Sequence, residues 1–126
     1  MARKAIVSPK AASMGPYSHG IDSEGLIFLS GQIPIDYVTG NIVEGDIKVQ
    51  TQQCFNNLSG VLEAAGLTFS DVQKVNVYLT DMNNFSAMNE VYKNQFSEPY
   101  PARTTIGVAS LPLGAKLEIE MTARKS

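Results

Sequence analysis

Apolar positions in the first third of the chain come in short runs broken by Gly and Pro, with no helical period. Lys4 to Ser8 is a short run closed by Pro9, and a loop containing Gly15-Pro16 follows. Ser18 to Ile21 and Leu26 to Ser30 predict two strands, joined by the turn-forming Asp22-Ser23-Glu24-Gly25. Gly31-Gln32-Ile33-Pro34 is then expected to leave the ladder, because Pro has no N–H to donate. The period changes after Gly45. Ile47, Thr51, Cys54, Phe55, Leu58, Val61, Leu62 and Ala65 recur at helical steps, with Asp46 as N-cap and Gly66 as a left-handed stop. Val75, Val77 and Leu79 alternate with Asn76, Tyr78 and Thr80, the pattern of a half-buried strand. Asp81 to Asn84 caps a second helix with the stripe Phe85, Met88, Val91, Tyr92 and Phe96, stopped by Pro99 and Pro101. Thr104 to Ala109 and Leu117 to Ala123 predict the last strands, separated by Leu111-Pro112-Leu113-Gly114.

The order β-β-β-α-β-α-β-β predicts a single α+β domain over residues 1–126, with a mixed sheet and two helices packed on one face. Nothing is left in the chain to cover the other face, so a partner subunit is expected there. The 126 residues suffice for one core without disulfides or a structural metal.

Composition narrows the chemistry. The formal charge of −2 argues against a protein built to hold nucleic acid, and the tail Arg124-Lys125 is too short for a nucleic-acid arm. A lone Cys54 excludes an intrachain disulfide and multi-thiolate metal sites. A lone His19 excludes sites that need paired histidines. No apolar run reaches membrane-spanning length, and the basic start, Met1-Ala2-Arg3-Lys4, leads into no leader-like stretch. The expected location is the cytosol. Chemistry therefore falls to carboxylates, Arg, Lys, Tyr, Ser or Thr.

The last two strands carry the most informative pattern. Leu117, Ile119, Met121 and Ala123 point one way, and Lys116, Glu118, Glu120 and Thr122 the other. Thr104, Ile106 and Val108 form the apolar set of the preceding strand, and Arg103, Thr105 and Gly107 the opposite one. If the two strands pair, Arg103 stands near both carboxylates on the face without helices. That is either a solvated face with a cross-strand ion pair, or a site in which an Arg fork holds a carboxylate and a Glu without a second cation handles a water.

Pro101-Ala102-Arg103-Thr104-Thr105-Ile106-Gly107-Val108-Ala109-Ser110-Leu111-Pro112, followed by Leu117-Glu118-Ile119-Glu120-Met121, resembles the C-terminal signature of the reactive intermediate deaminase A family (RidA, formerly YjgF). Gly15-Pro16-Tyr17-Ser18, Ser30-Gly31-Gln32-Ile33-Pro34, Glu63-Ala64-Ala65-Gly66-Leu67 and Met88-Asn89-Glu90-Val91-Tyr92 resemble further blocks of that family, in order. The resemblance implies a bacterial chorismate-mutase-like fold, assembled as a homotrimeric barrel with active sites between subunits. It implies hydrolysis of 2-imino acids or their enamine tautomers, such as 2-iminobutanoate and 2-iminopropanoate, to 2-keto acids and ammonia. Pyridoxal-phosphate enzymes are thereby protected, and neither cofactor nor metal is needed. Arg103 then corresponds to the carboxylate-binding arginine and Glu118 to the residue that orients or activates water. Tyr17, Ser30, Gly31, Asn89 and Thr105 correspond to substrate-binding positions. Glu120 belongs to the signature but is assigned a structural ion pair or barrel contact. Thr105 stands where many members have Cys, and Gly107 leaves room for a wider pocket. His19 and Cys54 are assigned to structure and core. Alternative readings are a regulatory trimer that binds small carboxylates, or the endoribonuclease, translation-inhibitor and holdase activities claimed for some relatives.

Overall fold

The computed structural model describes residues 3–12 and 15–126; Met1, Ala2, Ser13 and Met14 lie outside the described residues. The elements are β1 (Lys4–Ile6), β2 (Gly20–Ser23), β3 (Leu26–Gln32), α1 (Ile47–Ala64), β4 (Val72–Leu79), α2 (Phe85–Tyr92), β5 (Ala102–Gly107) and β6 (Leu117–Arg124). Their order is the one the pattern predicts. They form a six-stranded sheet in the order β1-β2-β3-β6-β4-β5, antiparallel throughout except for the parallel pair β4–β5. Several boundaries differ from expectation: β1 ends two residues early, and β2 and β5 are shifted by two residues, later and earlier respectively. β3 continues through Gly31 to Gln32, because a bulge sets Ser30 and Gly31 against β6 between the pairs Leu29–Met121 and Gln32–Ile119. β4 begins three residues early. α2 ends at Tyr92, and Phe96 reaches the core from just beyond the turn that follows.

Both helices cover one face. Asp46 Oδ1 accepts from the backbone N–H of Val49 at 3.0 Å and starts α1, and Gly66 takes the left-handed φ of 76° just beyond its end. Phe55, Leu58 and Val61 of α1 and Met88 of α2 are fully buried against Val75, Val77, Leu117 and Ile119. Cys54 belongs to this core, where burial pushes its thiol well above the ordinary range. The rings of Phe55, Phe69, Tyr92 and Phe96 meet edge to face or tilted, with centroids 5.0–5.9 Å apart. Asn57 Nδ2 donates to the carbonyl of Ile35, and Gln50 Nε2 to that of Val43, pinning the loop that follows the bulge to α1. The opposite face of the sheet has no helix over it and exposes Phe28 and Ile106. No helix of the described residues is long and apolar enough to cross a membrane.

Candidate active site

The strand order separates the two residues expected to carry the chemistry. β4 lies between β5 and β6, so Arg103 is not a neighbour of Glu118 or Glu120. Arg103 pairs with Val75, whose side chain is in the core, and therefore lies on the helix-covered face. Glu118 alternates with buried Leu117 and Ile119, which puts it on the open face. The expectation that Arg103 shares a face with the carboxylates is therefore wrong. Thr104 and Ile106, read as the inward set, point outward instead. An Arg tolerates the inner position because aromatic rings receive it.

Around Arg103, α2 supplies three side chains at helical spacing. The guanidinium carbon lies 4.5 Å from the Tyr92 ring centroid and 5.4 Å from that of Phe85. Nη1 donates to Oδ1 of Asn89 at 2.5 Å. No carboxylate of the described residues pairs with it. The guanidinium is thus held in place with donors to spare, at a cavity of about 520 Å³ lined by Asn89, Tyr92, Lys93, Tyr100, Pro101 and Arg103. Thr105 follows on the same side of β5, and its buried Oγ1 finds no partner among the described residues. The space over Gly107 is taken: a Cβ there would lie 3.2 Å from Cγ of Met82.

The second cluster forms at the β3 bulge. A Cβ on Gly31 would stand 2.6 Å from Oε2 of Glu118, so the carboxylate lies directly over this glycine. The Ser30 hydroxyl donates to the carbonyl of Ser18 at 2.7 Å, and the Ser30 N–H to that of His19 at 2.9 Å. These bonds fasten the 17–19 segment to the bulge, where Tyr17, Ser18 and Ser30 line a shallow recess with Arg3, Pro16 and Ile21. His19 is buried and accepts from the backbone N–H of Ser8 through Nδ1 at 2.9 Å, a structural role. Burial raises the Glu118 carboxyl above the ordinary carboxylate range, and the charge of Glu120 adds to the effect. Glu120 makes no ion pair among the described residues. It accepts from the Tyr78 hydroxyl and from Nδ2 of Asn76, the latter at 3.1 Å.

The predicted site residues thus form two groups in the chain: Arg103, Asn89 and Thr105 on the helix face, and Tyr17, Ser30, Gly31 and Glu118 at the bulge. Phe85 and Tyr92 were read only as an apolar stripe. Their spacing around Asn89 is the signal that joins them to Arg103.

The model of the family described as Endoribonuclease L-PSP matches residues 7–125. A RutC family protein of Pyrococcus horikoshii is 52% identical over 112 residues, 89% of each chain. A Dermatophagoides farinae protein named 2-iminobutanoate/2-iminopropanoate deaminase is 43% identical over 122 residues, 95% of each chain. The crystal structure of E. coli TdcF with bound serine superposes with a TM-score of 0.92 at 41% identity, covering 98% of this chain and 99% of that one. The chain belongs to this family, the one its C-terminal signature resembles.

Proposed function

We propose that this protein hydrolyses 2-imino acids to 2-keto acids and ammonia, at sites that join the Arg103 cluster of one protomer to the Glu118 cluster of another in a chorismate-mutase-like trimer. The observation that carries the reading is the Arg103 guanidinium, stacked on two rings and tied to Asn89 with no carboxylate partner. A preorganised fork of this kind fits the carboxylate of a small 2-imino acid. The deaminase names of the mite protein and of its mouse counterpart, 42% identical, support it.

In this mechanism Arg103 holds the substrate carboxylate and leaves C2 facing a water on Glu118. The water oxygen bonds to C2 as the C=N π electrons move to nitrogen. Glu118 takes the water's proton and returns it to the nitrogen. As the carbinolamine collapses, its hydroxyl proton passes to the nitrogen, the C=O bond forms and the C–N bond breaks, releasing ammonia and the 2-keto acid. Holding water and electrophile together supplies much of the acceleration. The opposite placement of the two clusters in one protomer, and the exposed Phe28 and Ile106 on the open face, support completion by another copy.

The test couples the protein to a threonine dehydratase and follows 2-ketobutyrate release. Acceleration over buffer is expected, with its loss in Arg103→Ala. No acceleration, or full activity in that variant, overturns the reading.

A further inference from the structure

β4 carries polar groups that the mechanism above leaves unused. In the β4–β6 ladder, Tyr78 stands directly across from Glu118, and Asn76 directly across from Glu120. The residue directly opposite is ordinarily the nearest partner on a face. Tyr78 bypasses it. Its hydroxyl donates to Oε1 of Glu120, one pair along, and Asn76 Nδ2 donates to the same oxygen at 3.1 Å. Tyr78 and Asn76 thus converge on Glu120, and no donor among the described residues is hydrogen-bonded to Glu118.

We infer that Glu120, clamped by Tyr78 and Asn76, is the positioning residue for the Glu118 base: it fixes a negative charge beside Glu118 and draws the Tyr78 hydroxyl away, leaving the Glu118 carboxylate open to a water. The inference rests on the imine-hydrolase reading and concerns how that same site is tuned. The surroundings of Glu118 leave Glu120 as its charged neighbour. On β4 it faces Tyr78, whose hydroxyl is pushed up to about 12, first by its bond to Glu120, and so stays a donor. On β3 it touches Gly31, and across β4 the register places apolar Ile106 of β5. Lys116, just before β6, and Lys74 of β4 share its face by alternation, but neither lowers it. Behind it on α1, Cys54 is held as a neutral thiol by burial. The raised carboxyl of Glu118, with Glu120 as its second cause, agrees with this arrangement. A base raised in this way abstracts the water's proton more readily, provided the solution is alkaline enough to keep it ionised.

The sign follows. The active form of Glu118 is the carboxylate, so its titration sets the acid limb of the kcat/KM profile. Removing the neighbouring charge lowers that titration. The experiment follows the Glu118 side-chain carboxyl carbon by NMR in intact, substrate-free protein with 13C-labelled glutamate, the signal being identified by its loss in Glu118→Gln. In Glu120→Gln, the Glu118 midpoint and the acid limb of imine hydrolysis are expected to move together to lower pH. Should that variant not fold, Tyr78→Phe, which releases the clamp and keeps the ring, is expected to move both in the same direction by less. A Glu118 midpoint that stays put in a folded variant overturns the inference. So does a midpoint that moves while the acid limb does not. A wild-type protein inactive on imines overturns the deaminase reading instead, and the carboxyl titration still decides whether Glu120 governs Glu118.

Discussion

Gly31 matters for the space it leaves rather than for its backbone. An added methyl would stand 2.6 Å from Oε2 of Glu118 and 2.9 Å from its Cδ. The obstructing atoms are the end of a flexible side chain, so the carboxylate yields and the strand does not. Gly31→Ala is therefore expected to lower kcat/KM by about 10²-fold, the cost of moving a catalytic group by roughly 1 Å, with a nearly unchanged melting curve. Comparing imine hydrolysis with thermal unfolding of the same variant checks this. The residue types of the candidate site were legible in the chain. Arg103 and Glu118 stand out through the alternation of the last two strands and through the signature that this segment resembles. Their faces were not legible, because Arg103 hides among rings at a position where the binary pattern expects a polar residue to face outward. Glu120 was read as a structural ion pair or barrel contact, and its partners in the chain are the neutral donors Tyr78 and Asn76.

At the scale of the element, α1 was the most readable part of the chain. Its stripe, its cap and its stop are all local, and each coincides with the structure. Asp46→Ala removes the bond to the Val49 N–H and is expected to destabilise the fold by about 1 kcal/mol. For a domain of this size, that lowers Tm by about 4 °C, measurable by calorimetry. α2 was less readable, because burial of an aromatic at the right spacing does not require a helix. Phe96 joins the ring cluster from beyond the turn after α2, so the stripe outruns the helix that carries most of it. The bulge in β3 was hidden for a related reason. Gly31 looks like a strand end in sequence, and only pairing with β6 shows that the strand continues past it.

For the whole molecule, the order of elements follows from local signals, but the neighbours in the sheet do not. β6 inserts between β3 and β4, and β5 returns parallel to β4 through α2. These are long-range choices that a period of two residues does not encode. The condition that β5 pairs with β6 is not met, and the shared face of Arg103 and the carboxylates that was read from it fails too. The uncovered face was legible by counting elements, and it exposes Phe28 and Ile106. The proposed trimer is checked by light scattering, which is expected to give three times the 13.6 kDa of one chain; a monomeric mass contradicts it. Placing Arg103 and Glu118 on opposite faces of one sheet has a genetic consequence in such a ring. Each chain lends its arginine to one pocket and its glutamate to another, so a chain defective in both spoils two sites. Two chains with one defect each, mixed before assembly, rebuild intact pockets between them.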